Sequence, residues 1–149
     1  MIRSSTAACL SLVSLLPLAA KPAAAQATDE SLRQVVADYV GLYRRETLED
    51  WRKLFLSSFG VASTTAEGSV NLRSLEEFYL AQKRYLDSGR PIQEALENVR
   101  IDRQGRLASV WADFILNDSG KERRGKLVLL LIEDRGAFKI HSLMFSYHG

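Results

Sequence analysis

Two hydrophobic periods divide the chain. From Ser31 to Leu86 apolar residues recur every three or four positions, and from Ile92 onward they recur every second position. Ser31-Leu32-Arg33-Gln34 matches a capping box, and Leu32, Val35, Val36, Tyr39, Val40 and Tyr43 follow on one stripe, which predicts an amphipathic helix. Thr47-Leu48-Glu49-Asp50 opens a second, shorter helix carrying Leu48, Trp51, Leu54 and Phe55 and stopping near Ser57 to Gly60. Ser74-Leu75-Glu76-Glu77 opens a third, with Leu75, Phe78, Tyr79, Gln82, Tyr85 and Leu86 on one face and Gly89 and Pro91 beyond its end. Between the last two, Val61 to Thr65 reads as a short strand and Ala66 to Val70 as a polar turn through Gly68.

After Ile92 the turns fall at Asp102 to Gly105, Asn117 to Gly120 and Glu133 to Gly136, so the strands between them run to about 10 to 12 residues in consecutive antiparallel order. Lys126 to Tyr147, the most apolar stretch outside the leader, forms the terminal hairpin of this four-stranded meander. Strands this long twist and curve. The expected fold class is therefore α+β, with three N-terminal helices packed on a curved antiparallel sheet. Strict alternation along the last strand puts Phe138, Ile140, Ser142 and Met144 on one face and His141, Leu143, Phe145 and Tyr147 on the other. Both faces carry apolar groups. This predicts a homodimer through the outer face, by way of Leu143, Phe145 and Tyr147.

The N-terminus changes the charge and the cysteine count. Arg3, the apolar run Ala7 to Ala20 and the small-x-small triplet Ala25-Gln26-Ala27 read as a cleaved export signal, with Ala23-Ala24-Ala25 as an alternative site. The run is short for a membrane anchor. The expected organisation is a signal peptide over 1–27 and one domain over 28–149, secreted or periplasmic and with no membrane association after cleavage. Arg3 and Lys21 lie in the leader, so the 20 basic residues of the whole chain fall to 18 and balance the 18 acids. No basic patch for nucleic acid remains. Cys9, the only cysteine, is also in the leader, which removes disulfides, thiolate metal sites and cysteine nucleophiles from the mature chain.

The order helix, helix, short strand, helix, meander resembles the nuclear transport factor 2-like superfamily, which includes the ketosteroid isomerases and the SnoaL-like polyketide cyclases. The resemblance spans Ser31 to Tyr147. It is carried by Val36-Ala37-Asp38-Tyr39-Val40, Trp51-Arg52-Lys53-Leu54-Phe55 and Gly136-Ala137-Phe138-Lys139-Ile140. It implies a cone in which helices and a curved sheet enclose a pocket, and pairing of subunits through the outer sheet face. The isomerases it resembles place a tyrosine in the first helix, a general-base aspartate after the second and a protonated aspartic acid in the penultimate strand. Tyr39 matches the tyrosine by position. Leu56 to Thr65 contains no carboxylate, and the second acid falls near Val128, so isomerase chemistry of that type is not expected.

The remaining candidate chemistry is thin. Asp113, in mid-strand beside Trp111, and His141 are the weak catalytic candidates, together with Tyr39. Neither a metal nor a cofactor is called for. Tyr39, Tyr43, Trp51, Phe55, Tyr79 and Trp111 supply aromatic surface for a ligand pocket. The leading expectation is a homodimer binding a small apolar or aromatic ligand without catalysis. The alternatives are a cofactor-independent acid-base isomerase, cyclase or dehydratase, or a protein-protein interaction module.

Overall fold

A computed structural model describes residues 27–65 and 68–148. The leader with Cys9, and Ala66 and Glu67 of the expected turn, lie outside the described residues. The elements are α1 (Asp29–Gly41), a 3₁₀ turn (Arg45–Thr47), α2 (Leu48–Arg52), β1 (Phe55–Thr64), β2 (Val70–Ser74), α3 (Leu75–Asp87), β3 (Ile92–Gln104), β4 (Leu107–Asp118), β5 (Lys121–Asp134) and β6 (Ala137–Tyr147).

Local signals account for the helices. Thr28 caps α1, its hydroxyl accepting from the Ser31 amide at 3.1 Å while the Ser31 hydroxyl accepts from the Thr28 amide at 3.0 Å. The cap is therefore Thr28, three residues ahead of the expected Ser31. Ser74 and Glu77 form the expected reciprocal box on α3. The second helix is shorter than its apolar spacing predicts: it ends at Arg52, and Phe55 already begins β1. The reason is tertiary. The Ile140 amide donates to the Leu54 carbonyl at 2.9 Å and Phe55 stands opposite Ile140, so this segment is captured by the last strand.

All six strands form one sheet in the order β2-β1-β6-β5-β4-β3. β3 to β6 make the expected antiparallel meander. β1 adds to β6 in parallel and carries β2 as an antiparallel edge. The sheet bends at three register shifts, within β1, at Asn98 and Val99 of β3, and at His141 of β6. A bulge of this kind adds a residue to one strand and sharpens its twist.

The bulge at His141 also reverses the parity of β6. Phe138 and Ile140 face inward as alternation requires, but the extra residue turns Leu143, Phe145 and Tyr147 inward as well. Leu143 is 2 % exposed. These three residues thus belong to the concave face rather than to the outer face expected of them. α1 lies over β6 and β3, and α3 over β1 and β2. Trp51, 1 % exposed, sits at the centre of the helical layer, with ring centroids 4.6 Å from Phe55, 5.4 Å from Tyr43 and 5.7 Å from Phe78. Its indole N–H donates to the Tyr39 carbonyl at 2.8 Å, which ties α2 to α1.

Ala27 is part of this core. It is buried, its amide donates to the enclosed Glu133 carboxylate at 3.2 Å, and its carbonyl accepts from Arg103 at 2.8 Å.

Candidate functional site

The helices cover one end of the concave face and leave a cavity of about 440 Å³ beneath them. Tyr39 and Tyr43 of α1 and Trp51 of α2 form its helical wall, with Phe78, Gln82 and Tyr85 of α3. The sheet contributes Phe114 and Leu116 of β4, Leu127 of β5, and Leu143, Phe145 and Tyr147 of β6. Phe114, Phe145 and Tyr147 pack edge to face, with centroids 5.1 to 6.0 Å apart. Their arrangement depends on Gly125, buried on the neighbouring position of β5. A Cβ there would stand 2.4 Å from the Phe114 ring and 2.3 Å from the Ser146 carbonyl.

Three charged residues enter this lining: Glu94 of β3, Arg73 of β2 and Arg123 of β5. Burial in the cavity pushes the Glu94 carboxyl up to about 7 from its ordinary 4.5. It is therefore divided between its neutral and ionised forms near neutral pH, the condition under which a carboxyl both gives and takes a proton efficiently. Burial and then the Glu94 charge raise Tyr39 well above an ordinary phenol, and the same two causes raise Tyr43. Both hydroxyls stay protonated. The Tyr43 hydroxyl donates to Gln82 Oε1 across the helical layer. Burial also raises Tyr147, opposed first by Arg123, with smaller effects of Glu94 upward and Arg73 downward, so all three charges act on this one phenol at the cavity rim.

Of the six aromatics expected to form a pocket, Tyr39, Tyr43 and Trp51 line the cavity. Phe55 is buried behind Trp51, 4.6 Å away. Tyr79 points its hydroxyl to Glu49 and takes the Arg52 guanidinium on its ring at 4.6 Å, outside the cavity. Trp111 lies on the convex face, 50 % exposed.

The catalytic candidates separate in the same way. Asp113 also lies on the convex face, where it pairs with Lys126 and accepts from Asn98 Nδ2 at 2.7 Å; the Lys126 bond and then the Asn98 bond hold its carboxyl below the usual range. An ionised, paired acid on the outer face has no access to the cavity. His141 occupies the β6 bulge, exposed, with Nδ1 2.7 Å from the Ser142 hydroxyl. Only Tyr39 of the three reaches the site. Among the described residues no group of three or more His, Cys, Asp or Glu side chains is placed to hold a metal ion.

The acid that does face the cavity escaped the sequence reading, although strand parity contained a signal for it. Glu94 stands two residues from Ile92 and two from Leu96, both partly buried against the core, so a charge occupies the apolar phase of β3. Arg123 is likewise in phase with Gly125 and Leu127 and reaches the cavity from its rim.

Solved structures reproduce this architecture. A protein of unknown function with a cystatin-like fold from Nostoc punctiforme aligns with a TM-score of 0.65 at 12% identity, covering 83% of this chain and 95% of its own. A candidate dehydratase of the NTF2-like family from Streptomyces avermitilis aligns at 0.67 and 14% identity, covering 80% and 95%. An NTF2-like protein of unknown function from Shewanella baltica aligns at 0.62 and 17%, covering 80% and 93%. At these identities the likeness concerns the fold. No curated protein matches the chain. A family model described as a SnoaL-like domain matches residues 32–148, from the first turn of α1 to just past the end of β6, and the chain belongs to that family within the NTF2-like superfamily.

Proposed function

We propose that this SnoaL-like domain binds a small, largely apolar or aromatic molecule inside its cone. The observation that carries the reading is the cavity of about 440 Å³, walled by aromatic and aliphatic side chains yet containing a few convergent polar groups. Sites for small organic ligands have this composition and are of this size. The test is native mass spectrometry of the purified protein together with a thermal-shift panel of small apolar and aromatic metabolites. A retained molecule, or a rise of several degrees in Tm with at least one compound class, is the expected result. An empty protein that responds to no compound contradicts the proposal.

Glu94 favours a second reading, in which the bound molecule undergoes proton transfer. The carboxyl titrates near neutrality beside two phenols that remain protonated, so Glu94 exchanges a proton while Tyr39, whose neighbour Tyr43 is committed to Gln82, donates a hydrogen bond to a developing oxyanion. Isomerisation and dehydration are the reaction types this set suits, and they replace the earlier assignment to Asp113 or His141. Comparing the molecules retained by the wild-type protein and by Glu94→Gln separates the two readings. The same molecule in both supports binding alone, and an isomer or a dehydrated product confined to the wild type supports turnover.

The proposal includes export and pairing. Ala27 is packed and hydrogen-bonded within the domain, which supports cleavage at the earlier site, after Ala25, so that Gln26 begins the mature chain. The intact mass of the exported protein checks this. Among the described residues no helix is long and apolar enough to cross a membrane. Pairing of two copies is assigned to the convex face, now through Trp111, Val128, Leu130 and Met144. Trp111 and Val128 stand opposite each other, as do Val128 and Met144. Trp111, Leu130 and Met144 are 50 %, 40 % and 45 % exposed.

A further inference from the structure

Arg73 and Arg123 reach the cavity from strands on either side of β1 and β6. Each guanidinium lies over an aromatic ring, Arg73 over Phe78 at 5.3 Å and Arg123 over Tyr147 at 4.9 Å. Stacking of this kind fixes the plane of the fork and leaves its N–H edges available. Among the described residues neither arginine enters an ion pair within 4.0 Å. The Arg73 Nε is buried and has no hydrogen-bond partner among them. Glu77, near Arg73, is committed to capping α3 through both the amide and the hydroxyl of Ser74. Arg123 makes one long bond, 3.3 Å to the Tyr85 hydroxyl, which itself donates to Asp118, and Asp118 is paired with Arg90. Among the described residues the only acid in the lining is Glu94. A chain whose domain is charge-balanced thus concentrates two cations and one acid in its cavity.

Arg73 is half-buried with an unpartnered Nε, whereas Arg123 is exposed at the cavity rim; a guanidinium partly withdrawn from water is costly unless charge and hydrogen bonds are supplied to it. We infer that the ligand carries an anionic group, of which a carboxylate is the simplest, bound between Arg73 and Arg123 while its apolar body lies against Phe114, Phe145 and Leu143. The inference rests on the reading of the cavity as a small-molecule site and specifies the substrate class. The carboxylate supplies acceptors to the outward N–H groups of both forks, and the aromatic wall takes the hydrophobic end. Because Glu94 is the opposing charge, anion affinity decreases as pH rises through the range in which that residue ionises.

The test uses a matched pair of probes, 2-naphthoate and 2-naphthamide, titrated into the purified protein and followed by calorimetry at low salt and pH 6. The wild type is expected to bind naphthoate about ten-fold or more tighter than the amide, as a charge-assisted contact requires. In Arg73→Gln, and independently in Arg123→Gln, that preference falls to within about three-fold because naphthoate loses much more affinity than the amide. Unchanged near-ultraviolet circular dichroism identifies variants that remain folded, and Arg73→Lys, which keeps the charge, retains part of the preference. Equal affinity for the two probes in the wild type overturns the anion inference and leaves the cavity reading standing. A preference that survives both glutamine variants overturns the assignment to these arginines. Binding of neither probe removes the cavity reading and this inference together.

Discussion

A carboxyl partly withdrawn from water keeps its proton to higher pH than the same group in the unfolded chain, and Glu94, half-buried in the cavity lining, carries the consequence for both stability and chemistry. Its titration moves from 4.5 to about 7 on folding. Below pH 4.5 the group is neutral in both states and costs nothing. Between pH 4.5 and 7 the unfolded chain ionises first, so stability declines, and above 7 the loss is complete. Glu94→Gln is therefore expected to match the wild type at pH 4 and to be more stable by up to about 3 kcal/mol at pH 8, as read from urea unfolding at the two pH values. A variant equally stable at both would place Glu94 in water. Tyr39 was legible as a site residue because it lies on the apolar stripe of a strongly patterned helix. Glu94 was not, because a single acid in a strand whose other phase is also charged looks like an ordinary exposed residue until the partner strand is known. Leu116 and Phe114, its inward neighbours on β4, reveal it.

Among the elements, those whose local chemistry agrees with their surroundings were readable from the sequence. α3 has its reciprocal cap, its stripe and its terminal glycine, and the meander has a two-residue turn between each pair of strands, with positive φ at Gly105, Ser119 and Gly120, and Arg135 and Gly136. β1 was legible only in its second half, read as the short strand from Val61; its first half was hidden because Trp51, Phe55 and Phe59 continue a helical spacing, and only the parallel partner β6, far along the chain, draws Phe55 into a strand. β6 was placed correctly and phased wrongly beyond Ile140, since a bulge at His141 has no local signature there. That one extra residue moves Leu143, Phe145 and Tyr147 from a supposed interface to the cavity wall. Gly125 on β5 is the matching requirement, for it gives Phe114 the space to close this wall. Gly125→Ala is expected to cost about 1 to 3 kcal/mol in chemical unfolding, with a near-ultraviolet change from the displaced aromatics. A cost below about 0.5 kcal/mol would show that Phe114 moves aside freely.

For the whole molecule, the cone has two surfaces with opposite properties. The concave face is closed by helices and holds the cavity, and the convex face of β4, β5 and β6 carries Leu107, Trp111, Leu130 and Met144 in the open. Apolar residues on both faces of the sheet were legible in the sequence, but the wrong residues were assigned to the outer one because parity was carried through the bulge. If two copies pair there, light scattering gives the mass of a dimer for the wild type and of a monomer for Trp111→Glu, with the cavity undisturbed. A wild-type monomer removes the pairing proposal and leaves the ligand site as it is.

Desolvation of the cone interior, where Glu94 faces the proposed ligand space, can be measured directly. Titration of the Glu94 side-chain carboxyl by ¹³C nuclear magnetic resonance, assigned by comparison with Glu94→Gln, measures that property on the atom concerned. A midpoint near 7 is the predicted result. A midpoint at the ordinary 4.5 would contradict it, because the carboxyl would then be in contact with bulk water and the cavity would be an open groove.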